Sequence, residues 1–299
     1  MPGPIKGVKV LELAQIMAGP TCGLMLADLG AEVIKIEKIP GGDDTRRFVP
    51  PDINGEASAF MMMNRNKKGI AINLKEKEGI DIFKSMVKSS DVVIENYRKG
   101  TMEKLGIGYD ELKKINPKII LCEISGYGRT GPYANKGGFD LVAQGMSGLM
   151  SITGESREKP PMKVGAPLTD ITAGILGATG VLAALISRNK TGLGQRVDTS
   201  LYEAGIVHTY WQSAIAVATG KSPGPLGSAH PLTAPYQAFE TKDNWITVGA
   251  SNQNTWLKLI KALNKEELQE DPRFNNNDNR MKNLNDLVKL IQPELKKKT

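Results

Sequence analysis

Cysteine, histidine and aromatic side chains are all scarce in this sequence of 299 residues, and each scarcity removes a class of function. Cys22 and Cys122 lie far apart in apolar segments, and His208 and His230 stand in other segments again. No disulfide framework or zinc motif can be assembled from them, so buried free thiols in a reducing compartment, and no metal, are expected. Aromatics make up 5% of the chain. A net charge of +7 could serve a nucleic acid, but platforms that stack bases need aromatics beside the cations. Most of the excess, including Lys296, Lys297 and Lys298, is therefore read as solvated surface, and no nucleic-acid partner is expected. Long apolar runs are missing too. Even Ile171 to Ile186 is interspersed with Gly and Thr, so no membrane span is expected. Met1 to Gly7 runs directly into the apolar segment Val8 to Leu13, without the pattern of an export leader, and a cytoplasmic location is expected.

What is present is an alternation of strand and helix patterns. Val8 to Leu13 reads as a strand, Ala18-Gly19-Pro20 as a break, Thr21 to Leu29 as a helix and Glu32 to Ile36 as a strand. Strands follow at Gly69 to Leu74, Asp91 to Glu95 and Lys118 to Ile124, with a helix over Glu76 to Lys88. Residues 40–67 are an aperiodic excursion that carries Met61-Met62-Met63. Helices are expected from Phe139, from Asp170 and over Leu201 to Thr219, with a strand at Gln195 to Thr199. Tyr236 to Phe239 and Trp245 to Val248 flank the turn Lys242-Asp243-Asn244 as a hairpin. The order predicts an α/β fold, a Rossmann-like parallel sheet with flanking helices plus a smaller α+β domain. The expected boundaries are a large domain over 1–219, a linker over 220–225 and a small domain over 226–299.

A strand, a helix and a strand ending in Glu37 invite a nicotinamide-dinucleotide reading, with Glu37 on the ribose. The glycines that reading needs are absent. Gln15-Ile16-Met17-Ala18-Gly19-Pro20 places Pro20 and Thr21 where backbone must approach a pyrophosphate, so the fold remains while its phosphate cradle does not.

Several segments in fixed order carry a more specific signal. They are Val10-Leu11-Glu12-Leu13, Ala18-Gly19-Pro20, Leu29 to Glu37, Asn64-Arg65-Asn66-Lys67-Lys68, Glu95 to Gly100 and Ser125 to Tyr133. Gly138-Phe139-Asp140-Leu141, Lys190 to Gln195, Ala229-His230-Pro231 and Ala234-Pro235-Tyr236 complete the series. Together they resemble the class III coenzyme A transferases, the CaiB/BaiF family, and its formyl-CoA transferase members in particular. The resemblance spans nearly the whole chain.

That resemblance implies exchange of coenzyme A between an acyl-CoA substrate and a free carboxylic acid. It assigns the nucleophile to Asp170, which stands before a long helix rich in small residues, and the path to an aspartyl anhydride and an aspartyl-CoA thioester. Read locally, Asp170 is a helix N-cap. The two roles are compatible, because amides at a helix N-terminus keep a carboxylate ionised. Matching positions implies Met17 and Ala18 beside coenzyme A, Lys38 near phosphate, and Ile72, Asn73, Leu74 and Lys75 along adenine and ribose. Asn96, Tyr97, Arg98 and Lys104 complete the cleft, with Phe139 and Asp140 near the pantetheine arm. Gly227 and His230 are implied to line the site, near where formyl-CoA transferases carry a glycine-rich loop, whereas His208, within a helix, is read as structural.

Two other readings share the fold. A racemase acting α to the thioester needs an acid/base pair, and its subgroup has a histidine before the Asp of the Gly-x-Asp segment; here Phe139 cannot exchange a proton. A binding-only homologue would keep the cleft and lose Asp170. The resemblance also implies an interlocked homodimer and a chain that continues past the point equivalent to Thr299, so the small domain is expected to be incomplete. Acyl specificity is expected in loops such as Arg46 to Asn54 and in Met61 to Met63.

Overall fold

The structure, a computed structural model, describes residues 3–299. The chain divides into two compact units, one of residues up to Leu149 with Lys163–Thr209, the other of Met150–Met162 with Tyr210–Thr299. The expected linker at 220–225 lies inside the second unit, which also takes in the segment 150–162.

In the first unit the elements run β1 (Lys9–Glu12), α1 (Ala18–Asp28), β2 (Glu32–Glu37), β3 (Asp52–Ile53), β4 (Glu56–Ala57), α2 (Ser58–Asn64), β5 (Lys67–Ala71) and α3 (Lys77–Val87). They continue with β6 (Val92–Glu95), α4 (Thr101–Lys104), α5 (Tyr109–Ile115), β7 (Ile120–Ser125), α6 (Asp140–Met146), α7 (Leu168–Thr191), β8 (Arg196–Ser200) and α8 (Leu201–Val207). The main sheet has the order β5-β2-β1-β6-β7-β8. Its pairings are parallel throughout. This is the Rossmann strand order, and the expected α/β fold is the one observed. The aperiodic stretch 40–67 contains the short antiparallel pair β3–β4 and the helix α2, which holds Met61, Met62 and Met63.

Period-two alternation sorts the strand residues between two cores. Val10, Val92, Ile94, Ile120 and Cys122 point into one layer with α1 and α7; Leu11, Val93 and Leu121 point into the other, with Phe83 and Val87 of α3 and Leu112 of α5. Strands buried on both faces read as continuous apolar runs, which made them legible. Ala18-Gly19-Pro20 is not a break, as expected from sequence, but the first turn of α1. Proline costs nothing there, because the amides of a first helical turn have no intrahelical partner.

Helix α7 is 24 residues long and by length and composition could cross a membrane. Here Ala173, Gly177, Ala178 and Val181 are buried against α1 and the sheet. Glycine sets how close α7 comes: a Cβ on Gly174 would lie 2.5 Å from Thr21 Cβ and 2.6 Å from Ala18 O. Gly177 packs beside both Cys22 and Cys122, which are free and buried. The Cys122 sulfur, and then burial, push the Cys22 thiol well up, so it is unreactive.

The second unit contains α9 (Tyr210–Thr219), β9 (Tyr236–Glu240), β10 (Trp245–Gly249), α10 (Gln253–Ala262), α11 (Asn277–Lys282) and α12 (Leu284–Leu295). The helix expected over 201–219 is thus two helices, broken at His208 and Thr209. β9 and β10 form the expected antiparallel hairpin, closed by a hydrogen bond from Thr241 N to Asn244 O at 2.7 Å. Phe239, Trp256, Ile260, Leu287 and Ile291 make its core. Buried Arg280 ties this core together, donating to Ala234 O at 2.8 Å and Phe274 O at 3.0 Å with its guanidinium over Trp256.

Candidate active site

After β5 the chain crosses β1 and β2 to begin β6 on the far side of β1, so the connections diverge between β1 and β6. Open α/β sheets bind ligands at such a switch point, beyond the carboxyl ends of the strands. A cleft of about 480 Å³ lies there, walled by the turn Gln15 to Ala18 after β1, Asn96 to Lys99 after β6, Ser125 and Gly126 ending β7, the segment Lys136 to Asp140, and Asp170.

The two strand-end loops are clasped to one another. Asn96 Nδ2 donates to Gln15 O at 2.8 Å, and Gln15 N donates to Asn96 Oδ1 at 2.9 Å. Ile16 adopts φ 70°, a left-handed conformation that a β-branched side chain resists at a cost of about 1–3 kcal/mol. On the second loop, Tyr97 N donates to Glu95 Oε2 at 2.6 Å, while Arg129 pairs with Glu95 and donates to Tyr97 O at 3.1 Å. Burial is the main cause that pushes Glu95 up to about 7 and Tyr97 up to about 12. A third wall depends on paired glycines, since a Cβ on Gly126 would stand 2.6 Å from Gly138 Cα.

Asp170 is the third residue of α7, whose N-cap is Pro167 with no side-chain cap bond. The expectation of an N-cap therefore fails, and Asp140 does the capping instead. Asp140 Oδ1 accepts from Thr169 N at 2.9 Å and from Thr169 Oγ1 at 2.8 Å, and its Oδ2 accepts from Gln144 Nε2 at 2.8 Å. The Asp170 carboxyl enters no hydrogen bond or ion pair among the described residues. Burial, and then the Asp140 charge, push its carboxyl up to about 6. Desolvation thus outweighs any stabilisation of the anion by the α7 amides, and the carboxyl, at about 6, still ionises below neutrality.

Of the residues singled out from sequence, Met17, Ala18, Asn96, Tyr97, Arg98, Phe139, Asp140 and Asp170 meet in this cleft. Arg98 enters no ion pair among the described residues, and Phe139 is 73% exposed. Lys38 is not in the wall; it pairs at 2.7 Å with Asp44, which is. Ile72 is buried in the sheet core, Asn73 Oδ1 accepts from Lys75 N at 3.1 Å, and Leu74 packs at that core's edge. Those residues and Lys104, in α4, lie outside the wall. Gly227 and His230 belong to the second unit, where His230 Nδ1 accepts from Leu232 N at 3.1 Å and the ring packs edge-on against Tyr236 and Trp211. His208 is the C-cap of α8, 2.7 Å from Thr172 Oγ1. Sequence reasoning assigned no role to Gln15, Ile16, Asp44, Lys99 or Lys136 in the cleft. For Gln15 and Ile16 the available signal was their place directly after the first strand.

A model of CoA-transferase family III matches residues 5–299. The chain belongs to that family. It is 40% identical over 288 residues to the succinyl-CoA:glutarate CoA-transferase of Mus musculus, covering 96% of this chain and 66% of that relative. To the acetyl-CoA:oxalate CoA-transferase of Acetobacter aceti it is 37% identical over 296 residues, covering 99% of this chain and 76% of the relative. The crystal structure of a CAIB/BAIF family protein from Brucella suis superposes with a TM-score of 0.87 at 40% identity, covering 100% of this chain and 80% of that one. The chain thus spans about two thirds of the mouse relative's length.

Proposed function

We propose that this chain moves coenzyme A from an acyl-CoA to a free carboxylic acid, with Asp170 as the nucleophile. The observation that carries the reading is an unpaired, largely buried carboxyl pushed up to about 6 within a cleft at the switch point of the sheet. Its oxygen attacks the thioester carbonyl, the carbon–sulfur bond breaks, and a mixed anhydride and the coenzyme A thiolate result. The thiolate attacks the Asp170 carbonyl, releasing the donor acid and leaving an aspartyl-CoA thioester. The acceptor carboxylate attacks that thioester, and the thiolate returns to the acceptor's carbonyl, restoring Asp170. Each step exchanges one acyl bond for another, so no proton has to be supplied. Water must be kept from both intermediates.

Met17, Ala18, Asn96, Tyr97, Arg98, Phe139 and Asp140 are proposed to hold the thioester end of coenzyme A. Lys38, Ile72 to Lys75 and Lys104 are proposed for its nucleotide end, beyond the cleft wall, where cations and backbone donors suit phosphates. Gly227 and His230 remain proposed site-lining residues on the strength of the family match alone. The acceptor is proposed to be a short dicarboxylic acid, in keeping with the glutarate and oxalate in the relatives' names, and Arg98 and Lys99 supply positive charge at the wall. A homodimer is proposed as well, supported by apolar side chains left in water on α9, where Trp211 is 59% and Val217 88% exposed. Free thiols at Cys22 and Cys122 support a reducing, cytoplasmic compartment.

Incubation with succinyl-CoA, trapping with hydroxylamine and peptide mass mapping test the reaction. A hydroxamate at Asp170 is expected. Exchange of the α-proton without a label at Asp170 would make the chain a racemase; coenzyme A binding with neither would make it a binding protein.

A further inference from the structure

Behind the turn that walls the cleft lies a set of buried charges that the reaction above does not use. Lys35 and Asp43 are 2% and 1% exposed. Lys35 Nζ donates to Glu12 Oε1 at 2.9 Å and to Ala14 O at 2.8 Å, and meets Asp43 Oδ2 at 2.8 Å. Its three hydrogens are then all engaged. Asp43 accepts from the backbone N–H of Ile16 at 3.2 Å and from Thr45 N and Thr45 Oγ1 at 2.9 and 2.8 Å. On the far side of Glu12, Lys67 Nζ meets Oε2 at 2.8 Å and donates to Pro20 O at 2.9 Å. The groups that pin the chain at Ala14, Ile16 and Pro20 therefore belong to one balanced cluster of two cations and two carboxylates. Between those pins stand Gln15, Ile16, Met17 and Ala18, which line the same cleft as Asp170.

The strained residue gives the cluster a task beyond filling the core. Ile16 has no local reason to hold φ 70°, and its own amide is the group that Asp43 accepts. We infer that Lys35 and Asp43 are positioning residues: Lys35 fixes Asp43, and Asp43 holds Ile16 in the left-handed conformation, so that the Gln15 to Ala18 wall stands formed before acyl-CoA arrives. The inference rests on the acyl-transfer reading for its kinetic readout. Neither side chain lines the cleft.

A backbone held by force can be separated from one that is merely packed, because glycine adopts positive φ without the penalty that any Cβ imposes. The test is a cycle of Asp43→Asn with Ile16→Ala and Ile16→Gly, assayed by kcat and KM for succinyl-CoA below the melting temperature of every variant. Misplacing a wall by about 1 Å costs on the order of 10²-fold. Asp43→Asn is expected to lower kcat/KM by about 10- to 100-fold, alone and with Ile16→Ala, but by less than about threefold with Ile16→Gly. An equal loss beside Ile16→Ala and Ile16→Gly, or no loss in the parent chain, overturns the inference. If Asp43→Asn does not fold, Thr45→Val takes its place, since it removes a hydroxyl that orients Asp43 and leaves the charges paired. Trapping at Asp170 in the parent chain is read first. If that label fails, the transferase reading fails by itself, and the same cycle is read as the Kd for coenzyme A by calorimetry, with the same two outcomes.

Discussion

Asp43 and Asp170 are both aspartates drawn largely out of water within the first unit, and their protons are pulled in opposite directions. For each, burial is the largest influence and favours the neutral acid. At Asp43 the Lys35 charge and the hydrogen bonds from Lys35 and Thr45 overcome burial, and the carboxyl falls below its usual range. Asp170 has no such partner; its charged neighbour is Asp140, and it rises to about 6. Two acids of one kind in one unit thus divide into a structural group and the proposed nucleophile, according to whether a cation was placed beside them. Glu95 lies between these limits. It pairs with Arg129, yet burial keeps it near 7, so a partner restores ionisation only where it outweighs desolvation.

Removing each acid's distinguishing feature should break the comparison in opposite ways. Asp170→Asn is expected to abolish coenzyme A transfer, by at least about 10³-fold, because the neighbouring carboxylate, Asp140, is engaged by Thr169 and Gln144. It should also stabilise the fold at pH 7 by about 3 kcal/mol, since a carboxyl raised from 3.8 to about 6 opposes folding whenever it is ionised. Steady-state assays and thermal melts on one preparation check both halves; a lowered melting temperature would contradict the account of Asp170. Lys35→Met should do the reverse and destabilise by about 3–5 kcal/mol in urea, because it strands buried Asp43 without a cation and leaves Glu12 with Lys67 alone. A smaller change is expected from Gly174→Ala, where the new methyl meets Thr21 and Ala18 O. That crowding should cost about 1–3 kcal/mol. It should also lower kcat, because Asp170 lies one turn away on the same helix.

How far the sequence shows this arrangement differs between the two acids. The sheet is legible, since strands such as Asp91 to Glu95 and Lys118 to Ile124 are buried on both faces and carry unbroken apolar runs. Asp170 is legible through its ordered neighbours, although its local pattern suggests a cap that Pro167 occupies and Asp140 satisfies from another helix. The Asp43 cluster has only a faint trace, namely single charges inside the apolar runs of β1 and β2. Its members come from the end of β1, the interior of β2, the loop after β2 and the start of β5, and only the folded sheet brings them together. Nothing local foretells φ 70° at an isoleucine, because the force that imposes it comes from Asp43, which is distant in sequence.

One pH axis separates the two acids. Asp170 must be ionised to attack, so kcat/KM for acyl-CoA should be level above pH 6 and fall about tenfold per unit below it. Its effect on stability has the opposite sign. A folded-state value raised from 3.8 to about 6 means that the native chain takes up its proton first, so this contribution stabilises progressively as pH falls from 6 towards 4. Asp43 is lowered, so its contribution is present above the ordinary aspartate range and disappears as pH falls through its depressed folded value. Activity should therefore be lost well before the structure is. The melting-temperature advantage of Asp170→Asn over the parent should be largest above pH 6 and vanish near pH 4, whereas an advantage independent of pH would mean that Asp170 is not the group whose ionisation opposes the fold.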